Sequence, residues 1–377
     1  MTSLTAIHVD PAIDLEACAG GRAFSASAAD RGLALLRDTP DEPRSAAALV
    51  AGLDAARAAL RGGYAQVVAV AREGRDALLA AGLDIVAADP AEIYVDADGL
   101  VALKTLRALP SALDRIAEIE GRLGAARRAV FLDYDGTLAE IVENPADARL
   151  ADPMRAAVSA LAQTCPVAIV SGRDLEDVRA LVDLEGLHYA GSHGFVMAGP
   201  GGWRETAPEG APFPPILDAA EAALRDALAG ADGVVVERKS FSLAVHHRRA
   251  APGAEALVEA ALARVLAAQP RLSFSAGKKV FDVKPRVDWD KGRATLALLR
   301  RFAEGATPLY IGDDTTDEDA FRALAGPGVT IVVRDGGDRA TAADYALDGV
   351  SAVEEFLRRL GTMSRAPRVS GTPGDAP

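Results

Sequence analysis

Three short apolar runs in this sequence stop abruptly at small polar or acidic residues. AVFL precedes Asp133, VAIV precedes Ser171, and PLYIG precedes Asp313. Continuous apolar runs of this length are typical of buried strands in a parallel sheet. Because ligand sites of such sheets lie at the carboxyl ends of the strands, we expect the three endings to converge on one site. The pattern predicts an α/β fold.

The length of 377 residues corresponds to two or three domains at ~150 residues each. The predicted division is an amino-terminal α/β domain over 1–122, a core over 123–195 and 282–362, an inserted α+β domain over 196–281, and a disordered tail over 363–377. In the first domain, two strands (65–71 and 84–89) flank a helix (74–82). The inserted domain shows two helical patterns, one long alternating strand (VVVERKSFSLAVHHRR) and a final strand (KKVFDVKP). The stretch MAGPGGWRETAPEGAPFPP predicts a linker or exposed turns.

Charge and cysteine content exclude several classes of protein. The chain carries 41 Lys and Arg against 54 Asp and Glu, a net charge of −13, so non-specific binding to nucleic acid or to an anionic membrane is not expected. Two cysteines, Cys18 and Cys165, are too few for a disulfide scaffold. The amino terminus lacks the pattern of a secretory signal, and no apolar run reaches the ~18 residues of a membrane span. We expect a cytoplasmic protein; its oligomeric state stays open.

The segment DYDGT offers two carboxylates, Asp133 and Asp135, directly after a buried strand. Carboxylates this close repel each other unless a cation joins them. Gly136 permits a tight turn, and Thr137 adds a hydroxyl. One carboxylate can attack phosphorus as a nucleophile, while the second serves as general acid and then as base. The alternative is a loop whose aspartates cap a helix.

Three further groups can complete a phosphate site. Ser171 offers a hydroxyl and a backbone N–H to a phosphate oxygen, although a serine there can also be a helix N-cap. Lys291 precedes a helical pattern, where a lysine is often simply solvated. Asp313, Asp314 and Asp317 form an acidic cluster that suits Mg²⁺, with a solvated acidic loop as the alternative. All four groups follow in order, each at a predicted strand or helix end.

With DYDGT, Ser171, Lys291 and GDDTTD in this order, the sequence resembles the haloacid dehalogenase superfamily of phosphotransferases over about residues 127–360. The resemblance implies a Rossmann-like core in which Asp133 is the nucleophile and Asp135 the general acid and base. It implies Mg²⁺ held by Asp133, Asp313 and the backbone carbonyl of Asp135. Asp317, and Asp314 beside it, would order metal-bound water or Lys291. Ser171 and Lys291 would bind the transferring phosphoryl group. Thr137 would belong to the catalytic residues, and Gly172 and Arg173 to the substrate-binding residues.

The inserted domain corresponds to the cap of that superfamily, and its motifs look like those of trehalose-6-phosphate phosphatases. The segments that carry this likeness are GSHG, ERKSFSLAVHHR, GKKVFDVKP and GDDTTDEDAF. The resemblance implies a sugar site formed by Glu237, Lys239, Arg248, Lys278 and Asp282, with His193 near the domain junction. Without it, Glu237 and Lys239 read as outward residues on one strand face. His247 stands where the family has Tyr, and Asp282 stands where it has Glu. His246 reads equally as a sugar-site or a strand residue.

The resemblance therefore implies a Mg²⁺-dependent phosphatase acting on trehalose 6-phosphate. Alternatives are a phosphatase for another sugar phosphate and a non-enzymatic phospho-acceptor or sugar-phosphate sensor. The first domain lacks a complete motif set. Its segment EIYVDADGL, with Asp96, Asp98 and Gly99, predicts a turn between two strands, or less readily a decayed catalytic loop. We expect this domain to be non-catalytic and to pack on the core or contact a partner.

Overall fold

The computed structural model describes residues 4–17, 19–40, 43–83, 85–95, 100–124, 127–142, 144–251, 253–277 and 279–363. The chain divides into two compact units, which comprise residues 1–167 with 299–377 and residues 168–298. The predicted tail lies outside the described residues from 364 onward, and Met363 is the last residue of a helix. Among the described helices, none is both long and apolar enough to cross a membrane.

The helices, numbered in chain order, are α1 Ala19–Asp30, α2 Leu53–Gly62, α3 Arg75–Ala80, α4 Ile116–Leu123, α5 Asp152–Ala162, α6 Leu175–Val182, α7 Pro214–Ala227, α8 Ala254–Ala268, α9 Lys291–Phe302, α10 Glu318–Leu324 and α11 Val350–Met363.

The strands are β1 Ala6–Val9, β2 Ala34–Leu36, β3 Ala46–Val50, β4 Gln66–Val70, β5 Ile85–Ala87, β6 Ile93–Val95, β7 Val101–Leu103, β8 Arg128–Leu132, β9 Val167–Val170, β10 His188–Gly191, β11 Val196–Ala198, β12 Arg204–Thr206, β13 Val235–Lys239, β14 Ser242–His246, β15 Leu272–Gly277, β16 Val280–Pro285, β17 Thr307–Gly312, β18 Val329–Val333 and β19 Tyr345–Leu347.

The first unit begins with a parallel five-stranded sheet in the order β2-β1-β3-β4-β5. The predicted strand–helix–strand segment is confirmed, because β4 and β5 pair in parallel on either side of α3. The strands β6 and β7 form an antiparallel hairpin with Val95 opposite Val101. The aspartates and glycine predicted between them, at 96, 98 and 99, lie outside the described residues. Asp89 caps a short 3₁₀ turn, its carboxylate accepting from the amide of Ala91 at 2.9 Å.

The second sheet of this unit contains β8, β17, β18 and β19, all parallel. Every residue of β18 and all but the first of β8 are buried, as the continuous apolar runs predict. The prediction of an α/β fold with parallel sheets is confirmed. The helix α4 lies on β17 and β18, and Arg122 at its end donates to the carbonyl of Gly328 at 2.6 Å. The predicted domain border at 122 therefore falls at the end of a helix that packs on this sheet.

In the second unit, β9 and β10 run parallel, and β11 and β12 add two antiparallel strands. The sequence suggested only a linker or exposed turns after Phe195, and this was wrong for β11 and β12. They form a hairpin whose turn contains Gly201 and Gly202, both at positive φ. Glycine and proline mark the turn of such a hairpin as readily as they mark a linker.

The same unit contains an antiparallel sheet in the order β13-β14-β16-β15, with α7 and α8 packed on one face. The long alternating run is two strands rather than one, because the chain turns at Ser240 and Phe241. The strand β15 was not predicted. The strand β16 continues to Pro285, past the predicted border at 281, because its residues pair with β15 along their whole length. The borders of the inserted domain stay predictions.

Candidate active site

The acidic site begins where β8 ends. In the parallel pairing of β8 and β17, Leu132 lies opposite Ile311, and the amide of Asp133 donates to the carbonyl of Ile311 at 2.9 Å. The next residues of both strands are therefore neighbours. Within the described residues, one carboxylate oxygen from each of Asp133, Asp313 and Asp317 lies within 4.8 Å of the others. The ends of β8 and β17, two of the three predicted strand ends, are therefore adjacent, and their aspartates lie close together.

The loop DYDGT folds back on itself directly after Asp133. The amides of Leu138 and Ala139 both donate to the carbonyl of Tyr134, at 2.9 and 3.0 Å. No described helix begins at this loop, so the helix-cap alternative for its aspartates is wrong. The loop places the hydroxyl of Thr137 3.3 Å from a carboxylate oxygen of Asp313.

Within this loop, position 136 has to be glycine. Its φ is +76°, a conformation that glycine adopts at little cost. A Cβ at this position would lie 2.1 Å from an oxygen of Asp313. The loop can therefore approach the Asp313 carboxylate only because residue 136 is glycine.

Asp317 is fully buried, and its carboxylate organises the loop that follows β17. One oxygen accepts from the amides of Asp313 and Asp314, at 3.1 and 3.0 Å. The other accepts from the hydroxyl of Tyr310 at 2.7 Å. Burial and the repulsion of Asp317, Asp133 and Asp313 raise the pKa of Tyr310 well above its usual value of 10.0, so this hydroxyl stays a donor. The Asp317 carboxylate thus fixes the backbone that carries Asp313. Its predicted role, to order metal-bound water or Lys291, stays a prediction.

Asp314, by contrast, caps a short 3₁₀ turn. Its carboxylate accepts from the amide of Thr315 at 2.7 Å and from the hydroxyl of the same residue at 3.2 Å. The carboxylates of Asp133 and Asp313 remain as a donor set of hard oxygens, the kind that Mg²⁺ and Ca²⁺ take in proteins. These residues fit a divalent cation.

Ser171 ends β9 in the second unit and is buried. Its amide donates to the carbonyl of Ala190 at 2.9 Å, and its hydroxyl accepts from the amide of Arg173 at 3.1 Å. The helix α6 begins four residues later, with Asp174 at its N-cap position. Ser171 is therefore not the N-cap, and its hydroxyl instead closes a turn that contains Gly172 and Arg173.

His193 lies against this turn. The backbone of Ser192 and His193 is left-handed, with φ of 51° and 55°, a conformation that costs energy in residues other than glycine. It is held because the hydroxyl of Ser192 bonds a carboxylate oxygen of Asp174 at 2.6 Å, and the amide of His193 bonds the carbonyl of Ser171 at 2.9 Å. A Cβ at Gly172 would lie 2.7 Å from the His193 ring.

Lys291 is the first residue of α9 and only 3% exposed. Asp290 caps the helix, its carboxylate accepting from the amide of Arg293 at 2.8 Å. A Cβ at Gly194 would lie 2.1 Å from the Cβ of Ala294, one turn after Lys291. The segment containing His193 therefore packs on the helix that Lys291 begins. The prediction that Lys291 and Ser171 join the acidic residues in one pocket stays a prediction.

Three of the predicted sugar-binding residues, Glu237, Lys239 and Asp282, lie on one face of the β13–β16 sheet. Glu237, Ala244, Asp282 and Ser275 lie directly opposite one another across the four strands. Lys239, two residues after Glu237, points to the same side. The other face, with Val236, Val245 and Phe281, is buried against the two helices. The polar residues are thus on the face that the helices leave uncovered.

The residues at the end of β14 differ in exposure and contacts. Glu237 and His246 are about half exposed, and the His246 Nε2 lies 2.8 Å from a Glu237 oxygen, so His246 is a surface partner of Glu237. His247 is buried and stacks on Phe281 with ring centroids 5.2 Å apart. Arg248 is exposed just beyond β14. Lys278 lies outside the described residues.

With this geometry in place, comparison with known proteins decides the family. The chain matches the trehalose-phosphatase family over residues 131–351, more than half of its length. It belongs to the trehalose-phosphatase family. The trehalose-phosphate phosphatase of Mycobacterium avium (strain 104) is 42% identical over 346 residues, which cover 89% of this chain and 85% of that protein. The protein of the same name from Mycobacterium tuberculosis (strain ATCC 25618 / H37Rv) is 42% identical over 329 residues, with 85% and 82% covered.

A solved structure supports the same membership. The structure of Aspergillus fumigatus trehalose-6-phosphate phosphatase is 27% identical to this chain, with a TM-score of 0.51. The match covers 68% of this chain and 100% of that chain. The predicted resemblance to trehalose-6-phosphate phosphatases is therefore confirmed.

Several residues that shape this candidate site were not singled out from the sequence. Tyr310, Asp174 and Ser192 each contribute a hydrogen bond that fixes a predicted site residue or its loop. For Tyr310 and Ser192, the sequence offered only their closeness to predicted site residues. Tyr310 lies just before the GDD segment, and Ser192 directly precedes His193. The ion pair between the buried Glu318 and the partly exposed Arg339 gave no signal at all, since the two residues lie 21 positions apart in sequence.

Proposed function

We propose that this chain is a Mg²⁺-dependent phosphatase that hydrolyses trehalose 6-phosphate to trehalose and inorganic phosphate, the last step of a trehalose biosynthesis in the cytoplasm. The observation that carries the proposal is the buried carboxylate of Asp133 beside Asp313, with Gly136 allowing the DYDGT loop to approach the Asp313 carboxylate. Family membership and 42% identity to trehalose-phosphate phosphatases support the choice of substrate.

The reaction proceeds in two displacements at phosphorus. A carboxylate oxygen of Asp133 attacks the phosphoryl group, forming an aspartyl phosphate as the bond to the sugar oxygen breaks. Asp135, which is partly exposed, donates a proton to that departing oxygen. It then takes a proton from a water molecule, whose oxygen attacks phosphorus and releases phosphate from Asp133.

Charge neutralisation is the main contribution of the surrounding residues. Asp133, Asp313 and the carbonyl of Asp135 would hold Mg²⁺, which neutralises phosphoryl charge when bound. Ser171, with the turn at Gly172 and Arg173, would bind phosphoryl oxygens, and Lys291 would add an ammonium. A chain with a net charge of −13 needs such a local concentration of positive charge to accept a phosphate dianion.

Sugar recognition is assigned to the polar face of the β13–β16 sheet. Carboxylates at Glu237 and Asp282 accept hydrogen bonds from hydroxyls, and the ammonium of Lys239 donates them. Arg248, Lys278 and His193 are proposed to add contacts at the edge of this site. A site built to pair with sugar hydroxyls rejects analogues that leave its polar groups unpaired.

Phosphate release from a panel of esters tests the proposal. We expect trehalose 6-phosphate to exceed glucose 6-phosphate and sucrose 6-phosphate in kcat/KM by at least about 100-fold, and chelation of Mg²⁺ to abolish the activity. Asp133→Asn should abolish phosphate release while thermal unfolding stays cooperative, and the exposed Asp76→Asn should behave as wild type. Equal rates on trehalose 6-phosphate and glucose 6-phosphate would remove the substrate assignment.

A further inference from the structure

The side chain of Arg339 joins the two ends of the acidic segment 313–318. One terminal nitrogen of its guanidinium donates to the backbone carbonyl of Asp313 at 3.0 Å. The other forms an ion pair with the carboxylate of Glu318. Arg339 lies in the loop after β18 and is 27% exposed, whereas Glu318 is 5% exposed. A planar guanidinium can satisfy two such acceptors at fixed relative positions.

Glu318 is held on its second oxygen as well. That oxygen accepts from the amide of Ala342 at 2.8 Å, in the same loop as Arg339. The carboxylate is therefore fixed between a guanidinium and a backbone amide, both supplied by residues 339–342. Because Glu318 begins α10 directly after Asp317, this contact sets the position of the helix relative to the acidic loop.

The backbone that carries Arg339 is itself paired with the amino-terminal region. The amide of Leu106 donates to the carbonyl of Arg339, and the amide of Thr341 donates to the carbonyl of Lys104, each at 3.1 Å. Thr105 and Ala340 form an antiparallel bridge between these two bonds. The guanidinium therefore extends from a fixed strand-like segment.

We propose that Arg339 is a positioning residue for divalent-cation binding. By holding the carbonyl of Asp313 and the carboxylate of Glu318 together, it sets the direction in which the Asp313 carboxylate faces Asp133. Residues that orient metal ligands typically change metal affinity 10–100-fold when they are substituted, although they touch no metal themselves. The inference rests on the proposed function for its effect on catalysis, but its effect on cation binding is independent of the substrate.

Arg334 provides a matched control. Its guanidinium donates to the carbonyls of Leu106 and Leu109, at 2.9 and 2.6 Å, and it pairs with Asp348. It therefore ties the same amino-terminal segment to the same loop region as Arg339. The structure gives it no bond to residues 313–318, so Arg334→Ala tests a general loss of stability without a change at the acidic segment.

The experiment measures Mn²⁺ binding to the full-length chain by electron paramagnetic resonance, without substrate. We expect Arg339→Ala to raise the Kd about ten-fold or more, Arg334→Ala to change it less than about two-fold, and wild type to bind one ion. Arg339→Lys keeps the positive charge but cannot bond both acceptors at once, so its Kd should lie between those of wild type and Arg339→Ala. If Arg339→Ala does not fold, the Kd of Arg339→Lys tests the proposal.

Two outcomes overturn the proposal while leaving the phosphatase assignment intact. One is wild-type Mn²⁺ affinity in both Arg339 variants, and the other is an equal loss of affinity in Arg334→Ala. A wild-type chain that binds no Mn²⁺ contradicts the metal site and the proposal together. Activity on a different sugar phosphate, with the expected Mn²⁺ affinities, contradicts only the assignment of trehalose 6-phosphate.

Discussion

The acidic site and the polar face of the β13–β16 sheet are built in opposite ways. In the acidic site, Asp133 is 4% exposed, Asp317 is fully buried, and backbone amides and a tyrosine hydroxyl fix the carboxylate of Asp317. On the sheet face, the Glu237 side chain is 50% exposed, and its one described partner is the equally exposed His246. From these contacts we infer that the acidic site is rigid before a ligand binds, whereas the exposed side chains of the sheet face lose conformational freedom on binding.

The proposed function accounts for this difference between the two regions. Phosphoryl transfer gains from charges already oriented toward the transition state, so freedom in the reacting groups lowers the rate. A sugar offers many hydroxyls to exposed side chains, each of which contributes separately. Substitutions in the acidic site should therefore affect every substrate alike, and substitutions on the sheet face should affect only the sugar.

Among the substitutions that compare the two regions, the largest effect is expected for Gly136→Ala. The new methyl group would clash with the carboxylate of Asp313. Alanine at this position would also have to adopt a left-handed φ, at a cost of roughly 1–3 kcal/mol. We expect kcat to fall at least about 100-fold on trehalose 6-phosphate and on p-nitrophenyl phosphate alike. Steady-state kinetics on both esters measures this loss.

Gly305→Ala is the matched control for that substitution. Gly305 has the same φ of +76°, but a Cβ there would meet no atom within 4 Å. It should lose a similar amount of conformational stability in urea unfolding and retain its kcat. If both variants lose activity equally, backbone strain rather than contact with Asp313 explains the effect, and the account of the rigid acidic site is wrong.

Local patterns in the sequence were enough to predict the acidic site. A buried strand is a run of apolar residues, and its carboxyl end is the next polar residue, so Asp133, Ser171 and Asp313 could be placed without coordinates. The parallel pairing of β8 and β17 confirms the expectation for two of these three ends. The position of Ser171 relative to these two ends stays a prediction, as do the residue roles that the family resemblance implies.

The residues that support the site could not be predicted in this way. The bond between Tyr310 and Asp317 joins a strand to the loop after it, and the bonds of Arg339 depend on a second loop that starts beyond β18. The left-handed backbone at Ser192 and His193 depends on Asp174, 18 residues earlier. Such contacts result from tertiary packing, and no periodicity in the sequence encodes them.

An intermediate effect, restricted to the sugar, is expected for Glu237→Ala. Removing one charged hydrogen-bonding group costs about 1.5–3 kcal/mol where that group binds the sugar, which corresponds to roughly 10–100-fold in kcat/KM on trehalose 6-phosphate. Activity on p-nitrophenyl phosphate should stay within about two-fold of wild type, because the acidic site is unchanged. The ratio of kcat/KM for the two esters is the measurement.

Glu259→Ala is the control, because Glu259 is exposed on α8, the helix that covers the opposite face of this sheet. It should change neither ester. If Glu237→Ala lowers kcat/KM equally on trehalose 6-phosphate and p-nitrophenyl phosphate, the sheet face affects phosphoryl transfer itself. The contrast between the two regions would then be wrong.

The smallest expected effect, and the one that sharpens the comparison most, is that of Tyr310→Phe. The variant keeps the ring packed against Phe321 but removes the tyrosine hydrogen bond to the buried Asp317, at a cost of about 1–3 kcal/mol in the free energy of unfolding. Because other bonds still hold Asp317, kcat should fall by less than about ten-fold on both esters.

The pH dependence of stability separates the Tyr310–Asp317 hydrogen bond from ordinary packing of the ring. The pKa of Tyr310 is raised in the folded chain, so above pH 10 the unfolded chain loses a proton that the folded chain retains. Wild-type stability should therefore fall with rising pH, by about 1.4 kcal/mol per pH unit from this group, and Tyr310→Phe should lack that contribution. Urea unfolding at pH 9, 10 and 11 measures both slopes; equal slopes would mean that the acidic site does not hold the Tyr310 proton, and the rigidity assigned to it would lose its main support.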